Sequence, residues 1–225
     1  MSNSLLSGNF ANDAAGAIYN GGTAWLSNST LDGNRASHAG GGVYNSGPAT
    51  LVNMTFSGNR AILGSGGGIA NYQGAVTLTN VTLNGNLGGI YHYGTSVVES
   101  FILKDTIVAN SPGGNNCLLD IRSTNTTIIS NGYNLSSDDS CTPFFNKQTD
   151  WNKTNPLLGP LLNNGGGNLT HLPLASSAAV DHGFGCPPAD ERGVLRPQGP
   201  ACDIGAVERL AGETTPWLYL PLIVR

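Results

Sequence analysis

Apolar and polar residues alternate in short runs along the first half of the chain. In the run 53–59, Met54 and Phe56 are separated by one polar residue, and Val81 and Leu83 hold the same places in the following copy. Alternation with a period of two predicts β-strands, here of only about three to five residues. A helix would need apolar residues at spacings of three and four over ten or more positions, a pattern that this region lacks.

The alternation belongs to a longer repeat of three phrases in a fixed order. In the central copy the phrases lie at 53–59, 66–71 and 75–78, and similar copies precede and follow them. The asparagines that close the first phrase of each copy follow one another at steps of 25, 25, 27 and 24 residues: Asn9, Asn34, Asn59, Asn86 and Asn110. A repeat of that period predicts a solenoid with one supersecondary unit per copy.

Three short strands and three corners fit into each copy. Gly-Asn and Gly-Gly pairs supply residues that tolerate positive φ at the corners. We therefore interpret each copy as one coil of a parallel β-helix, whose strands pair with their equivalents one coil later. We predict an all-β solenoid of about five to six coils over 1–141, an irregular, disulfide-stapled capping segment over 142–208, and a linker with an apolar strand over 209–225.

Equivalent positions stack at roughly 4.8 Å per coil and predict continuous ladders. Two aliphatic ladders are expected inside the coils: Leu26, Leu51, Leu78 and Leu103, and Ile18, Val43, Ile69 and Ile90. The closing asparagines form a corner ladder, and a further polar row contains Asn20, Asn45, Asn71 and His92. We interpret both polar rows as structural, because stacked amides hydrogen-bond along the axis. The alternatives are ligand binding by the closing asparagines and a catalytic role for His92.

Aromatic residues mark the outside of the coils. Tyr19, Tyr44 and Tyr91 alternate with inward residues and should point outward in a row, with Trp25 exposed on another face. Aromatic rows on a β-helix can pack across strands or stack on sugar rings. We favour packing, because Ala70 interrupts the row.

The repeats resemble those of polymorphic outer-membrane proteins, which pair a Gly-Gly-Ile-like motif with a Phe-x-x-Asn-like motif. Here the motifs are Gly67-Gly68-Ile69 and Phe56-Ser57-Gly58-Asn59, in registered copies. The resemblance implies a right-handed parallel β-helix on a bacterial surface.

Residues 130–208 show a second resemblance, to the C-terminal segment of the choice-of-anchor domain family of bacterial surface proteins. The motifs occur in order: Gly132-Tyr133-Asn134-Leu135-Ser136, Asn155-Pro156-Leu157-Leu158-Gly159-Pro160, Asn164-Gly165-Gly166, Ala179-Val180-Asp181, Asp190-Glu191-Arg192-Gly193 and Cys202-Asp203-Ile204-Gly205-Ala206-Val207-Glu208. This resemblance implies extracellular display, with an anchor that differs from member to member.

Charge and hydropathy exclude some classes of partner. The net charge is −4, charged residues make up only 11% of the chain, and no basic cluster occurs. A nucleic-acid partner is therefore not expected. The chain also lacks the basic surface by which proteins bind anionic lipid. No stretch of about 18 apolar residues occurs, so we expect no membrane-spanning helix.

The four cysteines form an even set. Cys117 and Cys141 are 24 residues apart, one coil length, and equivalent positions on adjacent coils lie within reach of a disulfide. Cys186 and Cys202 enclose a proline-rich span that a bond would staple. We predict these two bonds among the three pairings that four cysteines allow, and an extracytoplasmic location.

The C-terminal segment holds the dense ionisable groups: Asp181, His182, Asp190, Glu191, Arg192, Arg196, Asp203 and Glu208. Polysaccharide lyases and hydrolases on β-helices need carboxylates on consecutive coils, and these coils carry almost none. We therefore expect no enzyme activity and no cofactor. Arg192 and Arg196 should pair with Asp181, Asp190 or Asp203 to fasten the segment, and a metal site at those three aspartates is the alternative.

Both ends bear on function. The first coil begins at Ser2 without a cap and has no charge before Asp13, so its strand edges should recruit other strands. The tail has apolar residues that need burial: Trp217, Leu218, Tyr219, Leu220, Leu222, Ile223 and Val224. It could fold back, act as a sorting signal, or add as a strand to a neighbouring subunit and build a filament or homo-oligomer.

We predict an extracellular structural or adhesive protein; the alternative is a glycan-binding or lyase-like β-helix with surface glycans as partners.

Overall fold

The computed structural model describes residues 1–94, 99–120 and 126–214. This part of the chain contains strands and no helix, and its parallel sheets stack as a β-solenoid of about five turns. The predicted all-β parallel β-helix is confirmed.

Strands are numbered in chain order. They are β1 (Leu5–Ser7), β2 (Phe10–Ala11), β3 (Ile18–Asn20), β4 (Ala24–Asp32), β5 (Arg35–Ala36), β6 (Val43–Asn45), β7 (Ala49–Ser57), β8 (Arg60–Ala61), β9 (Ile69–Asn71), β10 (Val76–Asn84), β11 (Ile90–Tyr93), β12 (Glu99–Lys104), β13 (Ile107–Ala109), β14 (Cys117–Asp120), β15 (Thr126–Ser130), β16 (Leu135–Ser136), β17 (Leu158–Leu162) and β18 (Thr170–Pro173).

Three parallel sheets run along the solenoid. The largest follows the order β1-β4-β7-β10-β12-β15, with β13 pairing with both β10 and β16. The second follows the order β14-β11-β9-β6-β3, and a small third sheet contains β2, β5 and β8. Each coil thus contributes equivalent strands to common sheets, as the repeat predicts.

The largest sheet corrects the predicted strand lengths. Strands β4, β7 and β10 each contain 9 residues, because two short runs join through a single bent residue. The bent residues have φ between 47° and 59°: Asn3, Asn28, Asn53, Asn80, Asp105 and Tyr133. We call this set the corner row. Asparagine suits it, because its short polar side chain tolerates the left-handed region better than most.

Both aliphatic ladders are confirmed. Leu26, Leu51, Leu78 and Leu103 are paired in register from coil to coil. Ile18, Val43, Ile69 and Ile90 are likewise paired, and Cys117 extends their row. Most of these side chains are buried in one continuous core, so the inward register deduced from alternation is correct.

The asparagine ladder forms over its first four members. Each side-chain amide donates to the Oδ1 of the next rung, at 2.8 Å from Asn9 to Asn34 and 2.9 Å from Asn34 to Asn59 and from Asn59 to Asn86. The same oxygens accept the backbone N–H of the preceding rung. The ladder satisfies corner groups that would otherwise be buried without partners.

Asn110 is not a rung, and its assignment to the ladder is wrong. Asn84 pairs with Ala109, so Asn110 is registered with Gly85 and lies one residue before the ladder position. Its φ of 55° matches that of Gly85, at 68°, and its exposed amide donates instead to Asn84 at 2.8 Å. Asparagine here replaces a corner glycine.

The second polar row is continuous from coil to coil. Asn20 donates to Asn45 at 2.6 Å, Asn45 donates to Asn71 at 2.7 Å, and Asn71 contacts Nδ1 of His92 at 3.1 Å. Burial lowers the pKa of His92. His92 is therefore a buried rung of this row, as the structural interpretation predicts.

The solenoid has unlike ends. Strands β1, β2 and β3 are the edge strands of the three sheets, and all belong to the first coil. At the other end, the Cys117–Cys141 bond and the side chain of Phe145 are buried in the core. The predicted assembly strand within 215–225 lies outside the described residues. Among those described, no helix is long and apolar enough to cross a membrane.

Candidate functional site

The C-terminal segment lies against the outside of the largest sheet. After the antiparallel pair of β17 and β18, residues 174–209 run along β4, β7 and β10 in loops stapled by the Cys186–Cys202 bond. Both predicted disulfides are therefore confirmed, and all four cysteines are used. Two such bonds indicate an oxidising environment outside the cytoplasm.

A row of threonines forms the solenoid side of this contact. Thr30, Thr55 and Thr82 occupy equivalent positions on β4, β7 and β10 and are almost fully buried. Thr30 and Thr55 place their hydroxyl oxygens 2.8 Å and 2.6 Å from the carboxyl oxygens of Glu191. Thr82 accepts the backbone N–H of Ala206 at 3.0 Å. The segment is thus bound to three successive coils.

The burial and the contacts of Glu191 favour a protonated carboxyl group. The Thr30 hydroxyl lies 2.6 Å from the carbonyl oxygen of Leu169 as well as 2.8 Å from Glu191. A hydroxyl has one hydrogen, and a carbonyl can only accept. If Glu191 is protonated, Thr30 can donate to Leu169 and accept from the carboxyl group, so that each contact has its own hydrogen. Burial raises the pKa of Glu191 to about 8, in agreement with a neutral acid at pH 7.

Ion pairs hold the segment together internally. Arg192 pairs with Asp190 at 3.0 Å and with Glu213 at 2.6 Å, and Arg196 pairs with Glu208 at 3.1 Å. Both guanidinium groups are almost fully buried. Of the three aspartates proposed as partners, Asp190 is confirmed, while the carboxylates of Asp181 and Asp203 form neither pair. Glu208, which was not among the proposed partners, pairs with Arg196.

The three aspartates do not assemble a metal site. The Asp203 carboxylate accepts the backbone N–H of Asp181 at 2.7 Å and of Arg209 at 2.7 Å, and burial raises its pKa to about 6. No group of three or more His, Cys, Asp or Glu side chains in the described ranges is arranged to hold a metal ion. His182 is exposed, and its Nδ1 contacts the carbonyl of Val180. The ionisable groups of the C-terminal segment therefore bind one another and backbone amides, and they hold the segment in place.

The corner row provides a second set of contacts. Asn53 donates to the carbonyl of Ala189 at 2.8 Å, and Asn80 donates to the carbonyls of Asp203 and Gly205 at 3.1 and 3.2 Å. On the next coil, Asp105 accepts the backbone N–H of Phe184 at 2.9 Å. The same residues that bend the strands therefore position the segment.

Five tyrosines form a cluster on the outside of the second sheet: Tyr19, Tyr44, Tyr72, Tyr91 and Tyr93. The rings of Tyr19 and Tyr44 stack at 5.4 Å, and those of Tyr44 and Tyr72 at 4.8 Å. Tyr72 restores the continuity that Ala70 interrupts. Tyr91 points outward as expected, yet it is nearly buried among its neighbours. Packing is the role that the geometry supports.

A groove of about 500 Å³ separates the first coils from the C-terminal segment. We call it the Trp25 groove. Trp25, Ser27 and Val52 contribute the solenoid wall, and Asn168, Pro187 and Pro188 contribute the opposite wall. Trp25 is 65% exposed, in agreement with its predicted outward position.

Sequence reasoning missed the corner row, the threonine row and the groove. The corner row left a signal, because Asn28, Asn53, Asn80 and Asp105 recur at the coil period. The contact between Thr30 and Glu191 spans 161 residues and left none. The chain matches no known protein family, no curated protein and no solved structure.

Proposed function

We propose that this chain is an extracellular structural or adhesive protein, displayed on a bacterial surface, that associates through the open end of its solenoid. The observation that carries the proposal is the difference between the two ends. Among the described residues, no strand pairs with the outer edges of β1, β2 and β3, whereas the disulfide-bonded Cys141 and the side chain of Phe145 are buried against the core at the other end, where β14 and β15 are the outermost strands of their sheets. Open edges of parallel sheets recruit further strands.

Exposed apolar side chains support association at this end. The first coil carries several of them: Met1, Leu5, Phe10 and Tyr19. Phe10 is 59% exposed on edge strand β2. A partner strand would bury this surface, and the apolar tail 217–224 has suitable chemistry. Head-to-tail contacts of this kind produce filaments, because they do not close.

A structural role also fits the ionisable groups. The carboxylates that a lyase or hydrolase would need are instead bound to Arg192, Arg196 and backbone amides beneath the segment. We therefore propose a non-enzymatic function that uses no cofactor. The bacterial surface location rests on the two sequence resemblances, and the disulfides are compatible with it.

Truncation tests this proposal. The full chain should form oligomers or filaments at high concentration in light scattering and negative-stain images. The chain ending at residue 214 should remain monomeric with the same β-rich circular dichroism. Phe10→Lys should weaken assembly, and the matched control Leu195→Lys, at a 68% exposed site on the C-terminal segment, should not. A full chain that stays monomeric, or a truncated chain that still assembles, would contradict the proposal.

A further inference from the structure

The Trp25 groove has the composition of a ligand site rather than of a packing defect. Its largest side chain, Trp25, leaves most of its surface exposed at the wall of a concave surface. Pro187 and Pro188 form a rigid apolar wall opposite, while amides of Asn3 and Asn28 lie nearby. Binding sites for small molecules commonly combine an apolar or aromatic surface with a few polar groups.

The charges of the lining restrict the ligand. Asp190 and Arg192 line the groove, but their charged groups are bound to each other at 3.0 Å, and both side chains are almost fully buried. Glu191 is bound to Thr30 and Thr55. The ionisable side chains of the described lining are thus already bound to other groups of the protein, and a charged ligand would find no side chain of opposite charge free to pair with it. An uncharged, hydroxyl-rich ligand needs no charged partner and can bind to the amide and hydroxyl groups of the lining.

The surface beside the groove suits an extended ligand. Trp25 is registered with Thr50 on the next coil, and Thr50 with Thr77 on the coil after it. The row therefore presents an indole and then two partly exposed hydroxyl side chains at intervals of roughly 4.8 Å. A linear molecule lying along the axis would meet one of these side chains on each coil.

We propose that the Trp25 groove binds an uncharged oligosaccharide. One sugar ring stacks its apolar face on the indole of Trp25, because aromatic rings offer a large flat surface at little entropic cost. Its hydroxyl groups bond to the amides of Asn3 and Asn28, and the following rings continue along Thr50 and Thr77. The inference rests on the proposed adhesive function and names the class of ligand that adhesion would use.

Calorimetric titration with cellohexaose, chitohexaose, maltohexaose and the charged hexamer of galacturonic acid tests the site. At least one uncharged hexamer should bind the full chain, and the galacturonate hexamer should not. Trp25→Ala should weaken that binding about tenfold or more, since stacking contributes about that factor. The matched control Trp151→Ala removes another partly exposed indole, which contacts His182 outside the groove, and should leave binding unchanged.

Each other result overturns the inference. It is wrong if no uncharged hexamer binds, if Trp25→Ala binds as the parent does, or if the galacturonate hexamer binds equally well. Light scattering on the same samples separates this site from the proposed assembly. Oligomers without saccharide binding would contradict only the groove, and saccharide binding by a strict monomer would contradict only the end-to-end association.

Discussion

Glu191 provides a sharp test of how the C-terminal segment is held. Its carboxyl group is buried against Thr30 and Thr55, and this burial favours the protonated form. Glu191→Gln keeps the shape and fixes the neutral state at every pH. The glutamine amide can donate to Thr30, and its oxygen can accept from Thr55, as the protonated acid does.

The expected magnitude follows from proton linkage. Burial raises the pKa of Glu191 from 4.5 to about 8, with Asp190 raising it further and Arg192 opposing the shift. Between these values the folded state binds one proton more than the unfolded state, so the free energy of unfolding falls as pH rises. The stabilisation contributed by protonated Glu191 is fully present below pH 4.5 and is fully lost above about pH 8. At about 1.4 kcal/mol per pH unit, the whole loss is on the order of 5 kcal/mol.

Urea unfolding of both proteins from pH 4 to pH 9 measures the effect. The two should be similarly stable near pH 4, and the glutamine variant should become progressively more stable than the parent up to about pH 8. Thr55→Val provides a control, because it removes a hydrogen bond without removing a titrating group; it should cost about 1–3 kcal/mol. A difference between parent and Glu191→Gln that does not change with pH, or that favours the parent as pH rises, would refute the protonated carboxyl group.

Two further predictions concern the solenoid, and a third concerns the C-terminal segment bound to it. Phe56→Asp should destabilise by several kcal/mol, because Phe56 is fully buried between Leu31 and Leu83, whereas outward Tyr44→Asp should cost far less; equal losses of melting temperature would contradict the register. Asn59→Ala should lower the free energy of unfolding by about 1–3 kcal/mol, because it leaves hydrogen-bonding groups of the ladder unsatisfied. Asn110→Gly should change it by about 0.5 kcal/mol or less, since it restores the corner glycine. Urea unfolding that ranks the two variants in the opposite order would reject the corrected ladder. Replacing both Cys186 and Cys202 by serine should lower stability by about 2–4 kcal/mol and speed proteolysis within 174–209; unchanged proteolysis would show that the bond does not staple the segment.

The sequence predicts the solenoid well because its information is periodic. A strand position recurs on each coil, so alternation around Phe56 fixes the inward face of every copy. The spacing of Cys117 and Cys141 also predicts their bond, because it is close to one coil length, but Cys141 itself lies in a turn and pairs with no strand position. These features need only local patterns and one repeat length.

Where the repeat weakens, the sequence-based predictions are wrong, as for Asn110, or cannot be made, as for the contacts of Glu191. Matching asparagines placed Asn110 in the ladder, but the strand register places this residue one position earlier, opposite Gly85. The contact of Glu191 with Thr30 joins a segment without periodicity to the solenoid across 161 residues. Only the fold shows that these groups meet, because no local pattern encodes the path of an irregular segment.

Hydrogen exchange at two protein concentrations tests the central claim most directly. Strands β3 and β9 belong to the same sheet, and β3 is its edge strand in the first coil while β9 lies inside. The account predicts that protection of β1, β2 and β3 in the full chain rises with concentration, that β9 stays equally protected, and that the chain ending at residue 214 shows no such rise. Edge-strand protection that is independent of concentration in the full chain would contradict association through the open coil.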